Sequence, residues 1–292
     1  MRKALENGCN AWNGGEFYGP LDNNSLTLLK RYFAKYPEDS AKVSLNIKGC
    51  IMPGMKINAS REQVFASVEN CVAMLGAGKL IDVFEPARRD ANVPLEETLG
   101  ALDDLVKEGK IGGIALSEVS AKTIREAARI TKIQSVEIEL SLWATEPLTN
   151  GILQACKELD IPVLAPLGLG MLTGKYKSAD DLPADYKQHL PRFHPKNFEK
   201  NVDLVRMLET FAKKKNCTPA QLAINWVLAL SKRPDMPVII PIPGMTTAER
   251  VEENCKIVDL TEEEMQEIDN ILASFEVVGT RYPEHAMHMT NT

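Results

Sequence analysis

The sequence lacks the features that mark secreted, membrane and nucleic-acid-binding proteins. Its six cysteines are scattered without a CxxC pair, and no histidine lies near them at a metal-ligand spacing, so we expect reduced thiols and no metal site. No apolar run reaches about 18 residues, and no signal peptide or lipidation motif is present, which predicts no membrane contact and a cytoplasmic, or also nuclear, protein. The net charge of −6 and the absence of a long basic run argue against a nucleic-acid partner, and favour a small molecule.

An early glycine-rich phosphate loop is also missing. Only Gly168-Leu169-Gly170 approaches the G-x-G-x-x-G pattern, late and incompletely, which argues against an open doubly wound sheet. Short apolar runs instead alternate with longer amphipathic segments, as in a parallel sheet covered by helices. The size and the 44% hydrophobic content favour one domain over 1–292. We predict seven strands, at 9–12, 43–47, 80–84, 113–116, 135–138, 162–165 and 237–240.

Capping signals mark the helices between these strands. The first eight residues, "MRKALENG", are typical of the last turns of a helix ended by Gly8. Seven strands and the tail of a helix predict a (β/α)8 TIM barrel that lacks its first strand in this chain. We therefore expect an N-terminally truncated chain, less stable than one extended by about 30 residues. Capping boxes are predicted at Ser60/Gln63, Thr218/Gln221, Thr246/Glu249 and Thr261/Glu264.

The stretch "NAWNGGEFYGP", residues 10–20, places reactive groups after a strand. Two glycines end the apolar run, and Glu16 and Tyr18 follow. Parallel α/β folds hold their reactive groups at the carboxyl ends of strands. Taken alone, the stretch favours a tyrosine packed under a loop.

Other strand ends add polar groups to the same rim. Lys48 ends "VSLNIKG" at an inward-facing position, where a buried ammonium must be paired or have its pKa depressed. The alternative is a lysine that extends out of the strand end into solvent. Beside Tyr18, the charge of Lys48 is expected to lower the phenol pKa from about 10 and so to make a proton donor. The predicted rim comprises Asn13, Tyr18, Lys48, Glu85, Ala87, Ser117 and Glu137.

At this point the chain resembles the aldo-keto reductases over nearly its whole length. The segment "NGGEFYG" is similar to the family motif D-T-A-E-x-Y-G. The resemblance implies that Tyr18 is the catalytic tyrosine and Lys48 the catalytic lysine, with Asn13 in place of the family aspartate. The family histidine falls on Ala87, in "FEPARRD". We expect Asn13 to orient Lys48 by accepting a hydrogen bond, and Glu85 to reach into the histidine's space.

Two further segments resemble the part of the family that binds the nicotinamide. "GKIGGIALSEVS" is similar to G-K-I-R-x-I-G-L-S-E-x-S, which implies that Ser117 bonds the carboxamide and that Glu137 stands where the family has a partnering glutamine. "LAPLGLGMLTGKY" is similar to Y-S-P-L-x-x-G-x-L-T-G-K, with Leu164 in place of a stacking aromatic ring. This loop implies cofactor contacts from Pro166, Leu167 and Gly168.

The segment "IPIPGMTTAERVEEN" resembles the adenosine-phosphate site of the family. The resemblance implies that Arg250, Glu253 and Asn254 bind the 2′-phosphate and the adenine, beside Gly244, where many relatives carry a lysine. A helix N-terminus after Gly244 also favours an anion there. The alternative for Arg250 and Glu253 is an i,i+3 pair on the surface.

The combination of "NGGEFYG", "FEPARRD" and "VEIELSLW" most resembles the pyridoxal reductase branch. It implies NADPH-dependent reduction of a small aldehyde, pyridoxal to pyridoxine, with Tyr18 as proton donor. The loss of the aspartate and the histidine leaves open a cofactor-sensing subunit, like the aldo-keto β subunits of potassium channels. A barrel lyase or isomerase for a phosphorylated sugar would need acidic metal ligands or a late phosphate loop, and the sequence contains neither. The four histidines lie in late loops and the tail; His194 is expected at the substrate mouth or in a surface loop.

Overall fold

The architecture is that of a computed structural model, which describes residues 1–20 and 22–292. Seven parallel strands form one sheet in the order β1-β2-β5-β6-β7-β8-β9 in this part of the chain, and β3 and β4 form a separate antiparallel hairpin. The strands are β1 Ala11–Gly15, β2 Ser44–Gly49, β3 Ile51–Met52, β4 Lys56–Ile57, β5 Val83–Pro86, β6 Ile114–Ser117, β7 Ile133–Glu137, β8 Val163–Ala165 and β9 Ile239–Pro241.

Helices cover the outer face of the sheet. Within the described ranges, none of them combines the length and the apolar character needed to cross a membrane. Short 3-10 turns at Pro37–Lys42, Glu146–Leu148, Met171–Thr173, Ala179–Asp181 and Pro191–Phe193 complete the connections. The helices are α1 Arg2–Glu6, α2 Ser25–Lys35, α3 Arg61–Leu75, α4 Leu95–Lys107, α5 Ala121–Ile130, α6 Ile152–Glu158, α7 Ala184–His189, α8 Pro195–Lys214, α9 Pro219–Ser231, α10 Ala248–Asn254, α11 Glu262–Ala273 and α12 Glu284–Met287.

All seven predicted strands are confirmed, with ends displaced by up to three residues, and the predicted helix tail is α1. The capping boxes at Thr218 and Thr261 are also confirmed, and at Ser60 the side chain caps the helix without the reciprocal bond of a box. The predicted cap at Thr246 is wrong. Its neighbour Thr247 has the extended backbone of a cap residue and accepts the Arg250 N–H at 3.2 Å, so α10 begins one residue later. Local sequence does not distinguish two adjacent threonines.

The sheet is an open barrel, which confirms the predicted fold class. Strands β1 and β9 are its two edges, and a groove of about 600 Å³ lies between them. Both edges contribute to its walls, for example through Ala11 and Ile240. Below the groove, α1 packs on α10, and Lys3 Nζ lies 2.6 Å from Glu252 Oε1. The expected truncation stays a prediction.

The groove-facing edge of β9 has no free backbone donor. Because the Ile242 N–H donates to the Ala165 carbonyl at 3.0 Å, the alternation of a parallel ladder turns Ile239 and Pro241 toward the groove. The Ile239 N–H donates to Ser231 Oγ at 2.8 Å, and a proline has no N–H. This edge therefore presents only acceptors.

Side-chain alternation on β2 separates the core from the barrel interior. Leu45 and Ile47 are fully buried on the helix side, whereas Asn46 and Lys48 face inward, where Lys48 meets groups from other strands. The apolar layer continues on β1, where Trp12 packs on Phe33 with ring centroids 6.0 Å apart. The strand sequence thus points its polar residues at the centre of the barrel.

A close approach behind Lys48 requires glycine. A Cβ on Gly49 would lie 2.4 Å from Ser67 Oγ and 2.6 Å from Phe84 Cζ. We predict that Gly49→Ala lowers the free energy of unfolding by about 1–3 kcal/mol, the usual cost of overpacking a core. Urea unfolding measures the change.

Gly100→Ala is the matched control, since Gly100 lies in α4 with no atom within 4 Å of an added Cβ. That change should stabilise the protein by about 0.5–1 kcal/mol through helix propensity. Equal effects of the two substitutions would contradict the assigned packing around Gly49.

Candidate active site

Tyr18 is held at the rim by a turn that needs glycine on both sides. Its N–H donates to the Gly15 carbonyl at 3.2 Å, and its ring lies over Gly15, where a Cβ would be 3.0 Å from the ring Cγ. Gly19 has φ +111°, and a Cβ there would meet the Asn23 carbonyl at 2.8 Å. The side chain of Tyr18 remains 40% exposed, so its ring is available to a ligand.

Lys48 lies at the centre of a buried charge cluster. The residue is 4% exposed, and its Nζ lies 2.5 Å from Glu137 Oε1 and 3.4 Å from Glu85 Oε1. Burial would lower the pKa of Lys48, but the two carboxylates outweigh burial and hold this pKa above its ordinary value. Lys48 is therefore a cation whose charge is already paired, and the alternative of a lysine extended into solvent is excluded.

The expected role of Asn13 is wrong in this structure. Its amide Nδ2 donates to Glu137 Oε2 at 2.7 Å, and Lys48 Nζ donates to Glu137 rather than to Asn13. The reason is geometric, because the carboxylate that reaches Lys48 comes from β7 and not from β1. Glu137 thus bridges Lys48 and Asn13, and both of its oxygens are engaged.

Glu85 is fully buried, and neither of its oxygens has a hydrogen-bond partner among the described residues. Burial raises the pKa of Glu85 well above its ordinary value. The charge of Lys48 lowers this pKa, and the neighbouring Glu137 raises it again. Where Glu85 carries a proton, Lys48 and Glu137 remain as a balanced pair. Ala87 follows on the same strand end, also buried, with its N–H on the Gly49 carbonyl, so no side chain there offers a proton.

The expected lowering of the Tyr18 pKa is also wrong. Burial raises the pKa of Tyr18, and although Lys48 lowers it, Glu137 and Glu85 raise it again. The sequence placed the cation and both carboxylates on the rim, but it did not show how far the phenol is buried or how close the carboxylates lie to it. Tyr18 is therefore a neutral phenol at physiological pH, which is the state a proton donor needs.

The nicotinamide residues fit a bound ligand unevenly. Ser117 is buried at the end of β6, and its Oγ has no partner in the described structure, so a hydrogen-bonding group could be received there. It pairs in register with Glu137 on β7. Glu137, in contrast, is already bound by Lys48 and Asn13. A ligand amide would therefore find Ser117 free and Glu137 occupied.

The loop after β8 is shaped around a tryptophan. Gly168 has φ +74°, and a Cβ there would lie 3.3 Å from Trp143 Cδ1. Pro166 and Leu167 are half-buried beside it. Leu164 is buried and lies in register with Glu137 on the neighbouring strand. The loop is compact, and Leu164 on β8 provides no aromatic surface.

The residues expected at the adenosine site lie on and before α10. Gly244 and Asn254 line the groove that also reaches Asn13, so the groove connects the two halves of the expected site. A side chain at Gly244 would meet no atom within 4 Å, so the fold itself does not require glycine. No ion pair joins Arg250 to Glu253 in the described part of the chain, which argues against the surface-pair alternative.

Sequence reasoning missed groups that the C-terminal segment brings to this rim. The Arg88 guanidinium lies 5.5 Å from the Tyr282 ring centroid, and Arg281 makes two hydrogen bonds to Glu118, at 2.9 and 2.6 Å. The adjacent Arg281 and Tyr282 were the only sign of these contacts in the sequence. Asn46 was also missed; it shares the inward face with Lys48, and its amide atoms have no partner among the described residues. His194 is an exposed residue at the start of α8.

Comparison with known proteins decides the family. The sequence profile of the Aldo/keto reductase family matches residues 1–273. The chain belongs to the aldo/keto reductase family. It is similar to the probable pyridoxal reductase 2 of Schizosaccharomyces pombe, with 38% identity over 97% of this chain and 87% of the relative. It is also similar to the aldo-keto reductase yakc, NADP(+), of the same yeast, with 34% identity over 98% of this chain and 85% of the relative.

Solved structures agree on the fold. The glycerol dehydrogenase of Gluconobacter oxydans superposes with a TM-score of 0.80 at 24% identity, covering 97% of this chain and 86% of that one. The sheet described here is accordingly that of an aldo/keto reductase barrel, open between β1 and β9. Relatives that are named as pyridoxal reductases confirm the resemblance to that branch.

The buried Glu85 predicts a specific pH dependence of stability. Its raised pKa means that the folded protein keeps a proton that the unfolded chain releases above about pH 4.5, so its contribution to stability falls as pH rises through that window. Glu85→Gln cannot ionise. We expect the stability of this variant relative to the parent to increase between about pH 4.5 and pH 7, by at most about 1.4 kcal/mol per pH unit.

Urea midpoints over this pH range measure the difference. Glu139, whose pKa burial raises to about 7, acts in the same direction but is present in both proteins and cancels. Glu69→Gln, at an exposed position on α3, is the control. A stability difference that does not change with pH would refute a neutral Glu85.

Proposed function

We propose that this protein reduces a small aldehyde to the alcohol with NADPH, and that pyridoxal, converted to pyridoxine, is the first substrate to test. The observation that carries the proposal is a neutral, partly exposed Tyr18 at a rim where Lys48 is held by Glu137. The family supports oxidoreductase chemistry. The relative named as a probable pyridoxal reductase supports the substrate.

The residues of the chain divide the work between a proton donor and its support. Bound NADPH would supply a hydride to the carbonyl carbon. Tyr18 gives its phenolic proton to the carbonyl oxygen as negative charge develops there, and Lys48 then stabilises the phenolate. Asn13 and Glu137 fix the position of Lys48 through the two contacts of the Glu137 carboxylate. Ser117 offers its unpaired hydroxyl to the carboxamide of the cofactor.

The choice of NADPH over NADH is assigned to Arg250. Its guanidinium has no carboxylate partner in the described structure and is half-buried on α10. A planar guanidinium binds a phosphate through two parallel hydrogen bonds. Glu253 and Asn254 lie on the same helix for the adenine and its ribose, and Pro166, Leu167 and Gly168 border the nicotinamide end.

Two features favour a second candidate, a cofactor-sensing subunit with little turnover. Ala87 supplies no imidazole, and the charge of Lys48 is already balanced by Glu137. Both features reduce the electrostatic help available to a developing alkoxide. The two candidates share NADPH binding and differ in turnover, so a rate measurement decides between them.

We expect the protein to oxidise NADPH in the presence of an aldehyde panel that includes pyridoxal, and Tyr18→Phe to abolish most of this rate. The substitution keeps the ring over Gly15 and removes only the proton, so turnover should fall by about 10²–10⁴-fold while NADPH affinity stays unchanged. NADPH absorbance reports turnover, and fluorescence titration reports binding.

Tyr36→Phe is the control, since this tyrosine packs against Arg2 away from the rim. NADPH binding without turnover of any aldehyde would favour the cofactor-sensing subunit. If Tyr18→Phe keeps a rate within a few-fold of the parent, another group donates the proton.

Arg250→Ala should weaken NADPH binding by about 1.5–3 kcal/mol, the usual contribution of a hydrogen bond to a charged group, and leave NADH binding nearly unchanged. Fluorescence titrations with both cofactors measure the difference. Arg206→Ala is the control, because Arg206 is exposed on α8 and pairs with Asp203. Equal losses for NADPH and NADH would remove the assignment of the 2′-phosphate to Arg250.

A further inference from the structure

Two cysteines from opposite ends of the chain meet at the open side of the barrel. Cys9 precedes β1, Cys255 follows α10, and their Sγ atoms lie 3.1 Å apart. A disulfide bond is about 2.05 Å long, so about 1 Å of closure separates the two thiols from a bond. The other four cysteines have no second thiol within hydrogen-bond distance in the described part of the chain.

Local structure holds both thiols in place. The Cys9 N–H donates to the Ala4 carbonyl at 2.9 Å in the turn after α1. The Cys255 N–H donates to the Val251 carbonyl at 2.9 Å at the end of α10. The ion pair between Lys3 and Glu252 joins the same two helices. The contact between the thiols is therefore built by two structured segments.

Both thiols are accessible to a small reagent. Cys9 and Cys255 are partly exposed and line the groove between β1 and β9. Cys50, Cys71 and Cys156 are buried, and Cys217 is partly exposed without a second cysteine beside it. Access and pairing thus coincide only at Cys9 and Cys255 among the described residues.

We propose that Cys9 and Cys255 form a redox modification site, at which a low-molecular-weight disulfide such as oxidised glutathione closes an intramolecular disulfide between α10 and the start of β1. The inference does not depend on the proposed reaction. It rests on the distance, the accessibility and the two segments that hold the thiols.

The exchange proceeds in two balanced steps. The Cys9 thiolate attacks one sulfur of oxidised glutathione, forming a mixed disulfide and releasing one glutathione thiolate. Cys255 then loses its proton to solvent and attacks the Cys9 sulfur, releasing the second glutathione. Two cysteine thiols are oxidised, and one glutathione disulfide is reduced to two thiols. Burial and the hydrogen bond with Cys9 raise the pKa of Cys255 to about 12, which leaves the first attack to Cys9.

The bond would connect the two edges of the sheet where no strand pairs. It would tie the helix after β9 to the residues before β1, and so restrain widening of the groove. Because excess glutathione reverses both steps, the link responds to the ratio of the two glutathione forms. Cytosolic disulfides, where they occur, are commonly of this transient kind.

The test is to incubate the purified protein with oxidised glutathione at about pH 8, alkylate the remaining thiols and digest with trypsin without reduction. Tryptic residues 4–30 and 251–256 each contain one cysteine, Cys9 and Cys255. We expect a linked peptide of these two segments by mass spectrometry, and an intact mass lower by two hydrogen atoms. Reduced glutathione should restore the parent mass.

Two variants sharpen the result. Cys217→Ser should form the linked peptide as the parent does, whereas Cys255→Ser should stop at Cys9 bearing one glutathione. The oxidised parent should melt about 5–10 °C higher than the reduced one, because the bond closes a ring of most of the chain. A parent protein that keeps glutathione on Cys9 without forming the link, or that links other cysteines, overturns the proposal.

Discussion

The ion pair between Lys48 and Glu137 is the interaction on which the rest of the site depends. It spans the barrel interior from β2 to β7, between residues far apart in sequence. A buried ammonium without this partner would carry an uncompensated charge in a medium of low polarity, at a cost of several kcal/mol. The other groups at the rim depend on this pair. Asn13 donates to the second oxygen of Glu137, and the pKa of Glu85 responds to both charges of the pair. The pKa of Tyr18 responds to Lys48, Glu137 and Glu85 together.

Two of the departures from the family motif, at positions 13 and 137, become intelligible together. The resemblance places an aspartate at position 13 and a glutamine at position 137, and this chain has Asn13 and Glu137 instead. The site therefore still contains one carboxylate and one amide in contact, but the carboxylate stands on β7. Lys48 therefore keeps an acidic partner. The substitution at position 13, taken alone, would wrongly suggest that the site has lost its charge pair.

Sequence reasoning succeeded for features set by local sequence patterns. It failed for features that depend on contacts between residues far apart in the sequence. The seven strands follow from the apolar runs, and Thr218 and Thr261 from their capping boxes. The rim residues Tyr18 and Lys48 follow from strand ends and motif. The direction of the Tyr18 pKa shift did not, because burial raises this pKa first, and side chains from β5 and β7 raise it further. The compartment of the protein stays a prediction, since no feature of the fold bears on it.

The acceptor-only edge of β9 has a consequence for self-association. An exposed sheet edge normally invites a second molecule to continue the ladder, because it offers alternating donors and acceptors. Here Ser231 takes the one available N–H and Pro241 has none to give, so a strand from another copy could not form a regular ladder with β9. A barrel with an open side can therefore stay free of strand-to-strand polymerisation at that edge, protected by a serine and a proline rather than by closure.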